Sequence, residues 1–129
     1  MSEDLLKAVR DTNLGKVKLA VTDIDGVLRG KTVHESKFQS VLESGFGFCN
    51  VIFGWDCADE CYDNSQYTGW HSGYPDALAR VDATSFRQVP WDQGMPFLLA
   101  DFYDGEGQPL AVCPRQLLKA VREQARAQG

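Results

Sequence analysis

The sequence predicts an α+β domain, with a mainly antiparallel sheet and helices packed on one face. Three observations predict it. Residues 16–23 alternate apolar and polar side chains and run into Asp25-Gly26, a strong hairpin signal. Helical spacing of apolar residues is confined to three short segments, near residues 5–9, 38–42 and 117–125. Strand, helix and strand do not follow one another in the rhythm of a parallel sheet, and no segment repeats.

The elements follow in order. Ser2 is placed to cap a helix carrying Leu5, Leu6, Ala8 and Val9, and Asn13 to Gly15 stop it. From Lys16 to Asp23, Val17, Leu19 and Val21 point one way, and Lys18, Ala20 and Thr22 the other, as in a half-buried strand. After Asp25-Gly26 a second strand runs from about Val27 to His34, with a bulge at Gly30. Phe38, Val41 and Leu42 define a short helix that Gly45 ends. Phe46, Phe48, Val51, Ile52 and Phe53 supply a short strand. Ala79 to Val89 reads as one strand, Phe97 to Tyr103 as a buried one, and Pro109 to Val112 as an edge strand. Pro114 suits the first turn of a last helix with Leu117, Leu118, Val121 and Ala125 on one face.

A chain of 129 residues supports one domain with one core, and residues 1–129 are read as a single domain. The apolar share of 43% and charged share of 24% fit a folded globular chain. A net charge of −5 argues against a nucleic-acid surface. No apolar run is long enough for a membrane span, and the acidic start Met1-Ser2-Glu3-Asp4 is not a signal peptide, so the expected location is the cytoplasm.

Charge is uneven along the chain. Asp56, Asp59, Glu60, Asp63, Asp76 and Asp82 share their stretch with Arg80 alone, while Arg115, Lys119, Arg122 and Arg126 face only Glu123. These are a solvated acidic loop and a basic helix face, or an acidic loop that attracts a cation or amine. Cys57 and Cys61 have a spacing zinc can use, with His71 following, but a second ligand pair is missing. Small buried thiols are the expected role of Cys49, Cys57, Cys61 and Cys113. The stretch from Gly45 to Leu78 contains Gly45, Gly47, Gly54, Gly69 and Gly73 and no long periodic segment. So long an irregular stretch is uncommon in a small domain unless it is functional.

Two motifs compete for a function. Leu19-Ala20-Val21-Thr22-Asp23-Ile24-Asp25-Gly26 resembles the first motif of haloacid dehalogenase phosphatases, with Asp23 as nucleophile and Asp25 as acid/base. The remainder of that machinery has no counterpart in the sequence. The second set is longer. Tyr62-Asp63-Asn64-Ser65-Gln66 is followed by Tyr74-Pro75-Asp76, Arg80-Val81-Asp82-Ala83-Thr84, Pro90-Trp91, Leu98-Leu99-Ala100-Asp101, Gly107-Gln108-Pro109 and Pro114-Arg115. That order resembles the amino-terminal domain of the glutamine synthetase family, from about Val17 to Glu123. Asp63-Asn64-Ser65-Gln66 stands where the family reads Asp-Gly-Ser-Ser, and Pro75-Asp76 where it has a small residue before the acid. These departures suggest a relative that ligates glutamate to another amine.

The resemblance implies a β-grasp-like fold and an ATP-dependent glutamate–ammonia or glutamate–amine ligase of nitrogen metabolism. It implies that Asp76 is the catalytic acid that binds ammonium, and that Asp63 and Ser65 shape the substrate loop. No cofactor belongs to this domain on that reading. ATP and magnesium or manganese belong to a larger carboxyl-terminal catalytic domain that the chain lacks. The partners it implies are the catalytic domains of the same and neighbouring subunits in a homo-oligomeric ring. Trp55, Trp70 and Tyr74 are core or interface aromatics on this reading. A free-standing β-grasp module that binds proteins along a sheet edge is the other class of function.

Overall fold

The computed structural model describes residues 1–129. It contains three α-helices, α1 (Ser2–Asp11), α2 (Glu35–Ser44) and α3 (Pro114–Gln128). Six strands accompany them: β1 (Lys16–Thr22), β2 (Leu28–His34), β3 (Phe46–Cys49), β4 (Asp76–Val81), β5 (Arg87–Val89) and β6 (Met95–Tyr103). The strands form one sheet in the order β2-β1-β6-β4-β3, with β5 also paired to β6. The fold is α+β, a mixed and mostly antiparallel sheet with three helices, as a β-grasp-like domain requires. β1 and β6 run parallel, with Leu19 opposite Leu98. β5 runs antiparallel to β6, with Gln88 opposite Pro96.

Contacts group the chain into two compact units. The first comprises residues 1–21, 29–46 and 79–100. Its core is built from Val9, Val17, Leu19, Phe38, Val41 and Leu98, all buried. Val17, Leu19 and Val21 turn inward as the alternation predicts, and Ala20 is buried as well. β2 runs through Gly30. The glycine serves a close approach, because a β-carbon there would lie 2.3 Å from the Leu19 carbonyl oxygen.

The predicted strand from Ala79 to Val89 is broken in the middle. Asp82 accepts hydrogen bonds on its side chain from the Thr84 amide (3.0 Å) and the Thr84 hydroxyl (2.6 Å). That local closure draws Ala83–Ser85 into a 3-10 turn between β4 and β5. The turn still serves the sheet. The Leu99 amide donates to Ser85 Oγ (2.8 Å), and the Asp82 amide donates to the Leu99 carbonyl (2.9 Å). Helix α1 also differs from expectation. Met1 is its N-cap and Ser2 lies inside it, because the Leu5 amide already bonds the Met1 carbonyl.

The second unit comprises residues 22–28, 47–78 and 101–129. Its apolar centre is a pair of edge-to-face rings, Phe53 on Phe102 at 5.1 Å, with Tyr67 meeting Phe53 at 5.8 Å. β3 stops at Cys49, and Asn50–Phe53 form a 3-10 turn where one longer strand was expected. The Ile52 carbonyl accepts from the Ile24 amide and so holds the β1–β2 turn. Pro109 to Val112 do not form a strand. Pro109 makes a single bridge to Tyr103, and the Cys113 amide closes a turn onto the Leu110 carbonyl that starts α3. Cys113 is buried, but Cys57 and Cys61 are exposed, contrary to the expectation of small buried thiols.

At the end of β6, Asp101 is buried and takes both hydrogen bonds from one Arg115 nitrogen, at 2.7 and 2.8 Å. Lys119 donates to the same carboxylate. A buried carboxylate is costly unless cations face it, and Arg115 and Lys119 both do.

Two measurements check these assignments. Replacing Asp101→Asn leaves Arg115 and Lys119 without their counter-charge and is expected to cost about 3 kcal/mol. The loss is read from the urea midpoint at unchanged slope, and an unchanged midpoint refutes the role given to Asp101. Gly30→Ala forces a β-carbon against the Leu19 carbonyl and is expected to lower stability by about 1–3 kcal/mol. Wild-type stability in that variant would show that β2 is free to move away from β1.

Candidate functional site

Residues 54–75 form the longest irregular segment, entering from the 3-10 turn at Asn50–Phe53 and leaving into β4. Side chains and single backbone hydrogen bonds, rather than a continuous ladder, hold it in place. Asn50 is buried, and its Oδ1 accepts from the buried Thr68 hydroxyl at 2.5 Å. The Asn50 amide donates to the Pro75 carbonyl at 2.9 Å. One residue therefore anchors the middle and the exit of the loop. Thr68 crosses over Gly54, where a β-carbon would lie 2.8 Å from Thr68 Cγ2, so the crossing needs glycine.

The first half is a tight hairpin. Asp56 Oδ1 accepts from the amides of Ala58 (2.8 Å) and Glu60 (3.1 Å), and the Tyr62 amide returns to the Gly54 carbonyl. Asp56 thus shapes the loop. In the second half, Ser72 Oγ accepts from the Gly69 amide, and His71 Nε2 lies 3.1 Å from the Gln66 carbonyl oxygen. Cys49 Sγ donates to the Tyr74 carbonyl at 3.3 Å, and Tyr74 itself adopts a positive φ of 49°. Trp70 stacks edge-on against Tyr74 at 5.3 Å while remaining 89% exposed.

The sequence-predicted site residues fall at different places. Asp63 is exposed in the turn after Tyr62. Ser65 is half-buried and its Oγ lies 3.4 Å from the place a β-carbon on Gly54 would take. Asp76 is exposed at the first position of β4, its carboxylate lying over Gly47, where a β-carbon would come within 2.6 Å. Asn50 and Thr68 carry the loop and are absent from the sequence-based list. The only signal for them was a polar pair embedded among glycines and aromatics.

Asp23 is fully buried, and its Oδ1 accepts from the amides of Asp25 (2.9 Å) and Val27 (2.8 Å). It shapes the β1–β2 turn, and the strand after it returns beside β1 rather than crossing over. That geometry does not present a phosphatase nucleophile. No group of three or more His, Cys, Asp or Glu side chains gathers with metal-binding geometry, so this chain's donors do not form a cage for a metal.

Three tyrosines surround the loop. Loss of solvent raises the Tyr62 hydroxyl pKa, and the charges of Asp25 and Asp56 raise it further. Burial alone raises that of Tyr67. Burial raises that of Tyr74, and a hydrogen bond to Cys61 adds to it. Below the ordinary tyrosine value of 10.0 the hydroxyls are neutral in folded and unfolded chains alike, and stability is intact. As pH rises above it, the unfolded chain ionises first and the loop loses stability.

Comparison with known proteins gives a consistent result. No protein-family model matches the chain. A type-1 glutamine synthetase of Dictyostelium discoideum is 50% identical over 121 residues, covering 93% of this chain and 23% of that protein. A glutamate–isopropylamine ligase of a Pseudomonas species is 38% identical over 118 residues, covering 91% of this chain and 26% of the relative. A solved GmaS–ADP complex superposes with a TM-score of 0.72 at 29% identity, over 99% of this chain and 26% of that one. The chain spans about a quarter of the length of the relatives it matches.

Two predictions follow from the loop's construction. Thr68→Val removes the hydroxyl and leaves buried Asn50 Oδ1 unsatisfied, at an expected cost of about 1–3 kcal/mol. Amide hydrogen exchange of residues 54–75 should accelerate in this variant, and unchanged exchange refutes Thr68 as the anchor. In a spectrophotometric titration, tyrosinate absorbance from residues 62, 67 and 74 should develop above pH 10. Loss of that absorbance step from the high-pH range in the wild type would contradict the assigned surroundings.

Proposed function

The chain belongs to the glutamine synthetase family, and from that premise we propose that it is the amino-terminal part of an ATP-dependent ligase joining glutamate to ammonia or a small amine. The observation that carries the proposal is 50% identity over nearly the whole chain to a glutamine synthetase, in a sequence whose longest loop is rigidly anchored and exposes acids. ATP and the divalent metal that supports phosphoryl transfer belong to the remaining three quarters of the parent. The work of this chain lies in the loop, which completes the active site of a neighbouring subunit in a cytoplasmic ring enzyme of nitrogen metabolism.

Asp76 is the residue we assign to the amine. Ammonium must be held and then lose a proton before it attacks an activated glutamyl carboxylate. A carboxylate favours the cation by charge, accepts its hydrogen bonds and can take the proton. Asp76 suits this because β4 fixes its backbone and its carboxylate remains exposed. Asp63 and Ser65 shape the loop. Exposed Trp70, braced by Tyr74, offers a ring face to a cation or an alkyl group. One relative is named for isopropylamine, which accords with an acceptor larger than ammonia.

In the full-length ligase, Asp76→Asn is expected to lower amine-dependent turnover by roughly ten- to a hundredfold, the effect of one charge-assisted hydrogen bond of about 1.5–3 kcal/mol. ATP affinity should change little, and hydroxylamine, already neutral, should be affected less than ammonia. Unchanged turnover at subsaturating ammonia removes Asp76 from the site. The 129-residue chain alone should release no phosphate from ATP in the presence of magnesium, glutamate and ammonia. Release above a protein-free control defeats the division of labour proposed.

A further inference from the structure

Gly47 lies inside β3, a place where glycine ordinarily weakens a strand. Its φ is not positive, so the backbone does not call for glycine there. The neighbouring strand in the sheet, β4, begins with Asp76. A β-carbon on Gly47 would lie 2.6 Å from Asp76 Oδ2, 3.2 Å from its Cγ and 3.3 Å from its Cβ. The Asp76 carboxylate therefore occupies space that only a residue without a side chain leaves open. Gly30 differs in kind. There the obstacle is the Leu19 carbonyl, and a main-chain atom cannot step aside without moving a strand. At Gly47 the nearest atom is the tip of a side chain with two rotatable bonds, and an added methyl group turns that tip away. The effect falls on where the carboxylate points, and little of it on the fold.

The main chain leading to Asp76 is held by the same segment. Cys49 Sγ donates to the Tyr74 carbonyl at 3.3 Å, and the Asn50 amide donates to the Pro75 carbonyl at 2.9 Å. Tyr74 has a φ of 49°, a left-handed conformation that a tyrosine keeps only where its surroundings hold it. With the chain pinned at Tyr74 and Pro75, the freedom left to Asp76 is that of its side chain, and Gly47 decides it. We propose that Gly47 is a positioning residue for the acceptor amine: its bare α-carbon lets the Asp76 carboxylate lie against β3, and that direction is the one in which the carboxylate receives a protonated amine. The proposal rests on the assignment of Asp76 above. A methyl group at position 47 excludes that direction, so capture of the cation weakens while the sites for ATP and glutamate, which lie elsewhere in the parent, are untouched.

The test uses the full-length ligase as wild type, Gly47→Ala, Asp76→Asn and the double variant. Gly47→Ala is expected to lower kcat/KM for ammonia about tenfold, the lower end of what one charge-assisted hydrogen bond supplies. The thermal midpoint and the KM for ATP and for glutamate should stay at wild-type values. For hydroxylamine, a neutral nucleophile, kcat/KM should fall by less than about threefold. In the Asp76→Asn background the same substitution should change ammonia use by less than about twofold, because the group it displaces has already lost its charge. Equal losses for ammonia and hydroxylamine, or a lowered midpoint that accounts for the loss, show a merely structural role and overturn the proposal. An additive double variant overturns it as well, since Gly47 then acts on something other than Asp76. Wild-type ammonia kinetics in Gly47→Ala beside impaired kinetics in Asp76→Asn overturn this proposal alone and leave the ligase reading intact. Wild-type ammonia kinetics in Asp76→Asn remove the assignment of Asp76, and the role of Gly47 falls with it.

Discussion

The structure depends on the burial of β6. This strand is enclosed along nearly its whole length, so its backbone amides and carbonyls must find partners within the protein. Parallel β1 supplies some and antiparallel β5 others. Where β4 and β5 leave a gap, the Ser85 hydroxyl and the Asp82 amide satisfy Leu99. The break in the predicted long strand is therefore no loss to the sheet. It substitutes a side-chain oxygen for a strand partner at one position.

The same strand positions the two polar features of the second unit. Phe102 packs on Phe53 and so seats the 3-10 turn that carries Asn50. Asn50 in turn fixes Thr68 and Pro75, and through them the acidic loop. Asp101, next to Phe102, sets the angle of α3 through Arg115 and Lys119. Apolar packing of two rings and satisfaction of one buried carboxylate thus precede both the candidate site and the exposed face of α3.

The loop shows how a segment with no regular structure can present chemistry reproducibly. Its backbone polar groups are satisfied by Asp56, Ser72 and Asn50, each acting locally or over a short span. Trp70 and Asp76 are left exposed on that frame.

The sequence alone determined the strands whose pattern is local. Alternation at Val17, Leu19 and Val21, the Asp25-Gly26 turn and the helix ended by Gly45 all follow from periodicity and turn chemistry. The order of motifs from Asp63 to Arg115 also placed the chain in its family, because identity of residues in sequence carries that relation without any contact. Tertiary structure decided the rest. The strand expected from Ala79 to Val89 breaks because Asp82 prefers its own neighbours' donors to a ladder. Asp23 proved to be a turn residue because its oxygen is consumed by two amides. The side of α3 that faces water could not be read from its pattern, since an apolar stripe ordinarily points inward. The burial of Asp101, which Arg115 and Lys119 must face, reverses it, because an unpaired buried charge costs more than three exposed aliphatic side chains.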